Sequence, residues 1–201
     1  MKRRAPLASL AVLVWAVLAP ASAGGQGFVF ESTPRFDVTI VIEPSGDLLI
    51  TETIVQEFGS TERHGIFRNI PNRLRYDNEF DRVYPIDLIS VNASADTPDD
   101  VETKEENGNF VIRIGDPDTT ITGRHTYEIV YRVEGTMNGF EIHDELFWNA
   151  IGNQWEQSIG EMNVRVAAPA DVTRVACFQG AFGSTAECNQ AQITKKGDAA
   201  F

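Results

Sequence analysis

Apolar and polar side chains alternate along much of the chain with a period of two residues, a pattern that few folds accommodate. The alternation is clearest in segments 36–42 (FDVTIVI), 48–58 (LLITETIVQEF) and 124–133 (RHTYEIVYRV). Because successive side chains of a β-strand point to opposite sides, each segment is predicted to form a strand with one buried face. The predicted buried faces comprise Phe36, Val38, Ile40 and Ile42, then Leu48, Ile50, Ile54 and Phe58, then His125, Tyr127, Ile129, Tyr131 and Val133.

Turn-forming residues separate these segments and predict how they connect. The sequence PSGD (residues 44–47) lies between the first two strands and predicts a hairpin. Asn107-Gly108 interrupts segment 101–115 and is a strong signal for a second hairpin, because both residues tolerate positive φ angles. Pro85 places the beginning of segment 83–93 at a sheet edge or a bulge.

Strand-like segments continue towards the end of the chain, at 161–169 (EMNVRVAAP) and 171–180 (DVTRVACFQG), whereas the last residues (KKGDAAF) are expected to lack a terminating element. No long helical pattern and no repeat interrupts the series. About eight short strands separated by Gly and Pro predict an all-β fold, an antiparallel β-sandwich with immunoglobulin-like or fibronectin-like architecture. A β-barrel is the alternative.

The N-terminus has the pattern of a secretory signal peptide over residues 1–23. Three basic residues are followed by an apolar stretch at 7–19, and Ala21-Ser22-Ala23 supplies the small residues of a cleavage site. The remaining residues, 24–201, are predicted to form a single domain. They contain no apolar stretch long enough to span a membrane.

Charge and cysteine content indicate which partners and which compartment suit the exported chain. Cleavage after Ala23 removes three positive charges and changes the formal net charge from −12 to −15. Because such a surface repels polyanions, nucleic acid is excluded as a partner. Cys177 and Cys188 are the only cysteines, and in an oxidising compartment they are predicted to form one structural disulfide.

Segment 61–77 breaks the alternation and is rich in arginine. Arg63, His64 and Arg68 are candidate binding residues, because an arginine side chain can bind a carboxylate or another anion through two hydrogen bonds. The alternative is a long loop whose apolar residues dock on the domain while its arginines pair with acidic side chains.

Segment 143–156 (HDELFWNAIGNQWE) combines acidic and aromatic residues, as a glycosidase site does. Asp144 and Glu145 are adjacent, however, so on a strand they point to opposite faces and cannot act as a catalytic pair. The sequence therefore predicts no catalytic residue here. Candidate binding residues in this segment are Asp144, Glu145, Trp148, Asn153 and Trp155. The alternative is structural, with Leu146 and Trp148 buried, a turn at Gly152, and Trp155 covering the end of the sandwich.

Neither a metal site nor a cofactor site is predicted. The three histidines (His64, His125 and His143) lie on separate segments without the local spacing of zinc ligands. Asp116-Pro117-Asp118 lacks the continuation of a calcium-binding loop and predicts an Asx turn instead.

Three motifs together resemble a known family: RHGIFRNIP (63–71), IRIGDPDTTITGRHTYEIVYRV (112–133) and DELFWNAIGNQWEQSI (144–159). In their order and spacing the chain resembles, over about residues 28–201, the extracytoplasmic N-terminal domain of the predicted bacterial membrane proteins of domain-of-unknown-function family 2207. The resemblance implies an all-β exported module followed by transmembrane helices, so the protein is expected to continue past Phe201. It implies no established reaction, ligand or catalytic residue.

The expected function is that of a non-catalytic binding, sensor or scaffold module on the outer face of the cytoplasmic membrane. The module would be secreted if the chain ends at Phe201. Its expected partner is an envelope ligand or a membrane protein, and its expected contact with the membrane is through a segment beyond this chain. The alternative is a carbohydrate-active or other envelope hydrolase that uses Glu145 with a second acid.

Overall fold

The computed structural model describes residues 30–75, 78–152, 154–180, 184–195 and 198–201. Every regular element within these residues is a β-strand, which confirms the predicted all-β fold class. The signal sequence predicted at residues 1–23 lies outside them. In chain order the strands are β1 (Ser32–Ile42), β2 (Leu48–Glu57), β3 (Gly65–Pro71), β4 (Arg73–Arg75), β5 (Asp81–Val83), β6 (Ile86–Ala93), β7 (Val101–Glu106), β8 (Asn109–Gly115), β9 (Arg124–Val133), β10 (Met137–Gly139), β11 (Asp144–Leu146), β12 (Ile159–Ala167), β13 (Phe178–Gln179), β14 (Ala186–Glu187), β15 (Gln192–Lys195) and β16 (Asp198–Ala200).

A seven-stranded sheet with strand order β15–β16–β12–β1–β2–β9–β6 forms the largest layer. Its neighbouring strands are antiparallel with one exception, because β1 and β12 run parallel. The predicted antiparallel arrangement is therefore wrong at this pair. Parallel neighbours need a long crossover connection rather than a tight turn. Here all of β2 to β11 lies between the two strands in sequence, and no local pattern reveals such a pairing.

Burial alternates along β1, β2 and β9 as the sequence predicts. The hairpin between β1 and β2 is confirmed, with Gly46 at a φ of 88° in its turn. The hairpin between β7 and β8 is also confirmed, with Asn107 and Gly108 at φ angles of 52° and 76°. Strand β6, which follows Pro85, lies at an edge of the seven-stranded sheet, in agreement with the prediction.

A second sheet of three strands, in the order β3–β8–β7, shares one hydrophobic core with the larger sheet. Both sheets are open within the described part of the chain, with β15 and β6 at the edges of one and β3 and β7 at the edges of the other. The alternative of a closed barrel is therefore wrong. The core consists of Phe36, Val38, Ile40, Leu48, Ile50, Ile54, Ile70, Tyr84, Phe110, Ile112, Ile114, Tyr127, Ile129, Tyr131 and Val133.

The structure corrects three local predictions. Segment 61–75 contains β3 and β4. One of the two alternatives predicted for this segment was a long docked loop. Residues 171–177, predicted to begin a strand, pair with no strand among the described residues, and only Phe178–Gln179 forms one. The C-terminal residues, expected to lack a terminating element, contain β16, which pairs with β12 and β15. The described residues form sixteen strands rather than about eight, because several strands of two to four residues are too short to show periodicity.

The predicted disulfide between Cys177 and Cys188 is confirmed, with the two Cα atoms 5.4 Å apart. It lies beside the β13–β14 pair, and the Cys188 N–H donates to the Cys177 carbonyl at 3.1 Å. None of the described residues forms a helix with the length and hydropathy needed to cross a lipid bilayer.

Candidate functional site

The candidate site is centred on Arg68, which lies in the middle of β3. Side chains alternate along this strand, so that Arg68 and Ile70 are buried while Phe67 is exposed. Strand β3 pairs with β8, and Arg68 lies opposite Ile112, whose side chain is also fully buried. The alternation therefore places a guanidinium group inside the hydrophobic core.

The partner of Arg68 is Glu52, which lies on the buried face of β2 between Ile50 and Ile54. The Arg68 Nε donates to Glu52 Oε2 at 2.6 Å, and Nη2 donates to Oε1 at 2.7 Å. The Tyr131 hydroxyl, diagonally across from Glu52 on β9, donates to Oε1 at 2.6 Å. Both carboxylate oxygens are thus hydrogen-bonded, and the two charges face each other without water between them.

Backbone carbonyls and aromatic rings complete the surroundings of the Arg68 guanidinium. Its Nη1 donates to the Asn69 carbonyl at 2.7 Å, and Nη2 approaches the Ala150 carbonyl at 3.4 Å. Its central carbon lies 5.4 Å from the centroid of the Phe36 ring and 5.8 Å from that of Trp155, both within cation–π range. Arg68 therefore joins the larger sheet, its own strand and the segment that contains Ala150.

Electrostatics favour the charged form of Arg68 and the neutral form of Tyr131. Burial acts most strongly on Arg68 and lowers its pKa, but the charge and hydrogen bonds of Glu52 reverse this effect, so that the pKa is raised overall. Burial, followed by the negative charge of Glu52, raises the pKa of Tyr131 well above its usual value. Tyr131 therefore remains a hydrogen-bond donor to the carboxylate.

Three residues of segment 148–155, which we call the tryptophan segment, lie next to the guanidinium: Ala150, Gly152 and Trp155. The Trp155 ring packs edge-on against Phe36 at 5.2 Å, and its Nε1 donates to the Ile151 carbonyl at 2.9 Å. Gly152 has a φ of 87°, and a Cβ at this position would lie 3.1 Å from Arg68 Nη1. The positive φ at this position favours glycine, and a Cβ would in addition crowd Arg68 Nη1.

The first residue of the tryptophan segment also packs into the core. Trp148 contacts Tyr84 edge-on with ring centroids 5.8 Å apart. Leu146, Trp148 and Trp155 all pack against the hydrophobic cluster, as the structural alternative predicted. The candidate residue Asn153 lies outside the described residues.

Arg63 and His64 lie at the exposed end of the same motif, away from the buried pair. Arg63 makes a bidentate ion pair with Glu31 at 2.8 and 2.9 Å, and the backbone of Arg63 pairs with Ile121. The His64 Nδ1 lies 3.1 Å from the Thr119 carbonyl. No contact among the described residues joins Arg63 or His64 to Asp144 or Glu145. The structure therefore brings Arg68 to the tryptophan segment, whereas Arg63 and His64 contact neither Asp144 nor Glu145 among the described residues.

Asp144 and Glu145 lie in β11, which pairs with β10 in a short hairpin. Both are exposed, whereas the next residue, Leu146, packs against the core. Since side chains alternate along a strand, Asp144 shares the side of Leu146 and Glu145 lies on the opposite side. The two carboxylates therefore diverge.

Glu52 and Tyr131 were not predicted as site residues from the sequence, although a signal for Glu52 is present in it. Glu52 interrupts the apolar series Leu48, Ile50 and Ile54 at a position where the alternation requires a buried side chain. A buried carboxylate needs a cationic or hydrogen-bonding partner. Its position thus predicts a buried arginine or lysine elsewhere, but not which one.

The other polar side chains determine whether the domain offers a metal site or a polar surface depression. In the described part of the chain, no three His, Cys, Asp or Glu side chains are grouped as metal ligands would be. The predicted Asx turn is confirmed, because the Asp118 N–H donates to Asp116 Oδ1 at 2.8 Å. A polar surface depression of about 390 Å³ lies beside β4 and β5, lined by Arg73, Arg75, Asn78, Glu79, Phe80 and Asp81.

Solved structures with similar chain traces share little sequence with this protein. Native yeast LTA4 hydrolase has 9% identity and a TM-score of 0.48 over 85% of this chain and 26% of that chain. An M1 zinc metallopeptidase from Deinococcus radiodurans, bound to a Tyr-Ser-Ala substrate, has 11% identity and a TM-score of 0.45 over 85% of this chain and 38% of that chain. The chain thus spans well under half the length of these enzymes, and likeness at this level supports no statement about activity.

No match was found among curated protein sequences. The family model described as "Predicted membrane protein (DUF2207) N-terminal domain" matches residues 32–199. This range includes both strands of the buried ion pair, the whole tryptophan segment and nearly all of the described residues. The chain therefore belongs to the family of predicted membrane proteins with a DUF2207 N-terminal domain.

Proposed function

We propose that this domain is a non-catalytic binding or scaffold module on the outer face of the cytoplasmic membrane, as part of a bacterial membrane protein. Family membership supports the membrane-protein context. The signal-peptide pattern at residues 1–23 and the disulfide between Cys177 and Cys188 support an oxidising compartment outside the cytoplasm. The partner is an envelope ligand or another membrane protein.

The architecture that suits this role is a β-sandwich in which the three-stranded sheet covers one face of the seven-stranded sheet. The single core with side chains from both sheets supports this arrangement. Such a two-layer domain holds loops and short hairpins at its ends on a rigid support, which is where binding surfaces of β-sandwiches commonly lie.

The proposal rests on the contacts of the charged side chains in two of the sequence motifs, RHGIFRNIP (63–71) and DELFWNAIGNQWEQSI (144–159). Among the described residues, the hydrogen bonds of the Arg68 guanidinium all go to Glu52 or to backbone carbonyls. A glycosidase needs two carboxylates facing one substrate bond, ~5–9 Å apart. Asp144 and Glu145 diverge along β11. The two motifs therefore stabilise the domain, and the binding function belongs to its exposed surface.

A topology experiment tests the placement of the domain. Alkaline phosphatase and green fluorescent protein are each fused directly after Phe201 in the full-length protein and expressed in bacteria. Because the phosphatase requires disulfides that form outside the cytoplasm, we expect an active phosphatase and a dark fluorescent protein. A fluorescent, phosphatase-inactive pair of fusions would place the domain in the cytoplasm and contradict the proposal.

A second experiment tests whether the domain is an enzyme. Purified protein is incubated with peptidoglycan and other envelope polysaccharides, and newly formed reducing ends are measured. We expect no release above a protein-free control. Release that disappears in a Glu145→Gln variant would establish the hydrolase alternative instead.

A further inference from the structure

The β10–β11 hairpin exposes large apolar side chains around its tip. The Phe140 N–H donates to the His143 carbonyl at 2.9 Å, and the two rings stack with centroids 4.8 Å apart. The exposed fractions are 54% for Phe140, 90% for Ile142 and 65% for Phe147, the residue that follows β11. Large apolar side chains grouped on one exposed element mark surfaces that contact another molecule.

The hairpin is held firmly to the domain. Arg82 donates to the carbonyls of Gly135 at 2.6 Å and Met137 at 3.2 Å, and also to Asn138 Oδ1. On the other strand, Leu146 packs against the hydrophobic core. Because the support is ordered in advance, binding through the tip loses less conformational entropy than binding through a free loop.

Apart from His143, the ionisable side chains of the hairpin itself are all acidic. Glu141, Asp144 and Glu145 are all exposed on the same hairpin. No lysine or arginine occurs between Arg132 and Arg165 in the sequence. The cation that the structure places against the hairpin, Arg82, donates to its backbone and lies over the Tyr84 ring at 5.2 Å. We call Phe140, Glu141, Ile142, Asp144, Glu145 and Phe147 together the hairpin surface.

The combination of apolar tip and acidic flanks selects one kind of partner. The headgroups of an anionic membrane would repel the three carboxylates. A protein cleft with an apolar floor and a basic rim is complementary to both features. We infer that the hairpin surface docks into an apolar cleft rimmed by lysine and arginine side chains on a partner protein, an inference that rests on the proposed binding function.

Site-specific photo-crosslinking in native cells tests this inference. A benzoylphenylalanine residue replaces Ile142 in the full-length protein, and in a matched control it replaces Phe67, which is 62% exposed on β3. Mass spectrometry then maps the residues to which each position crosslinks. We expect the Ile142 position to yield a protein adduct whose crosslinked site combines apolar residues with lysine or arginine.

Charge reversal provides the second arm of the experiment. Glu141→Lys combined with Glu145→Lys is expected to lower the adduct yield about tenfold or more, because like charges then face each other in the interface. Glu102→Lys combined with Glu106→Lys changes the net charge equally on the exposed strand β7 and should leave the yield unchanged. Thermal unfolding of each variant verifies that the domain still folds.

Different crosslinking results would contradict the docking of the hairpin surface and the proposed binding function. Lipid adducts at Ile142, or protein adducts that charge reversal leaves unchanged, overturn the inference. Protein adducts from the Phe67 position alone also overturn it but leave the proposed binding function standing. Adducts from neither position overturn the inference and contradict the binding function as well.

Discussion

At the scale of single residues, Arg68 and Glu52 place two charges in a core from which water is excluded. Transferring each ion from water costs several kcal/mol, which mutual attraction offsets only when hydrogen bonds satisfy both groups. Here the carboxylate accepts three hydrogen bonds from side chains, and the guanidinium also reaches two backbone carbonyls. The pair therefore specifies how β2, β3 and the tryptophan segment fit together.

Loss of the hydroxyl group should change the free energy of unfolding differently at the two buried tyrosines of β9. Tyr131 donates to Glu52, so Tyr131→Phe is expected to lower the free energy of unfolding by about 1–2 kcal/mol. The buried Tyr127 hydroxyl has no hydrogen-bond partner among the described residues, so Tyr127→Phe should be neutral or stabilising. Urea unfolding of both variants measures the difference, and equal losses would contradict this account.

The same tyrosines predict a loss of stability in alkali. Burial raises the pKa of Tyr127 to about 12 from its usual 10.0, and burial together with Glu52 raises that of Tyr131 well above its usual value. A raised pKa in the folded state adds stability that is fully present below pH 10.0 and is lost as the pH rises through the folded value. We expect the urea midpoint of the unmodified protein to fall as the pH rises above 10.0, and that of Tyr127→Phe to fall less. The same dependence of the midpoint on pH in both proteins would contradict a raised pKa of the Tyr127 hydroxyl.

At the scale of elements, the start of the β3–β8 pair depends on two glycines that face each other. Gly65 and Gly115 are paired across the strands, with φ angles of 137° and 134°. A Cβ on Gly65 would collide with the Ile114 carbonyl and lie 2.9 Å from the Gly115 Cα. Because both obstacles are backbone, they cannot move aside as a flexible side chain can. The close approach of these strands therefore requires glycine.

Substitution of Gly65 by alanine should be far more costly than the same change at Gly123. Gly123 also has a positive φ, of 79°, but a Cβ there would meet nothing within 4 Å. We expect Gly123→Ala to cost about 1–2 kcal/mol from backbone strain alone. Gly65→Ala should cost at least about 3 kcal/mol or abolish the cooperative transition. Circular dichroism during urea unfolding compares them, and similar losses would refute the steric argument.

Sequence periodicity correctly predicted those strands and turns that are determined by neighbouring residues in the sequence. Strands β1, β2 and β9 each have one consistently apolar face, and Gly46 and Gly108 mark tight turns, so these features were predicted correctly. The strand character of β3 was missed because a buried arginine interrupts its apolar face. The partner of a charge in the core lies far along the sequence, and periodicity contains no information about it.

At the scale of the whole molecule, two distant motifs meet at one buried charge. Arg68 and Ala150 are 82 residues apart in sequence, yet their contact joins β3 to the tryptophan segment. Both motifs were recognised as unusual from their composition, but their meeting depends on the order of strands in two sheets. Exposed residues such as Phe140 and Ile142 are equally hard to predict, because an apolar residue in a short hairpin looks like one that packs inside.

We expect the Arg68–Glu52 pair to join the two motifs and hold the fold, a claim that a double-mutant cycle in urea tests. Arg68→Met and Glu52→Leu should each lower the free energy of unfolding by about 3–5 kcal/mol, because each leaves a buried charge unpaired. The double variant should lose much less than the sum, since no unpaired charge remains. Arg63→Ala, which breaks an exposed pair, is the control and should cost less than about 1 kcal/mol. Additive losses, or losses at Arg68 no larger than at Arg63, would contradict the claim.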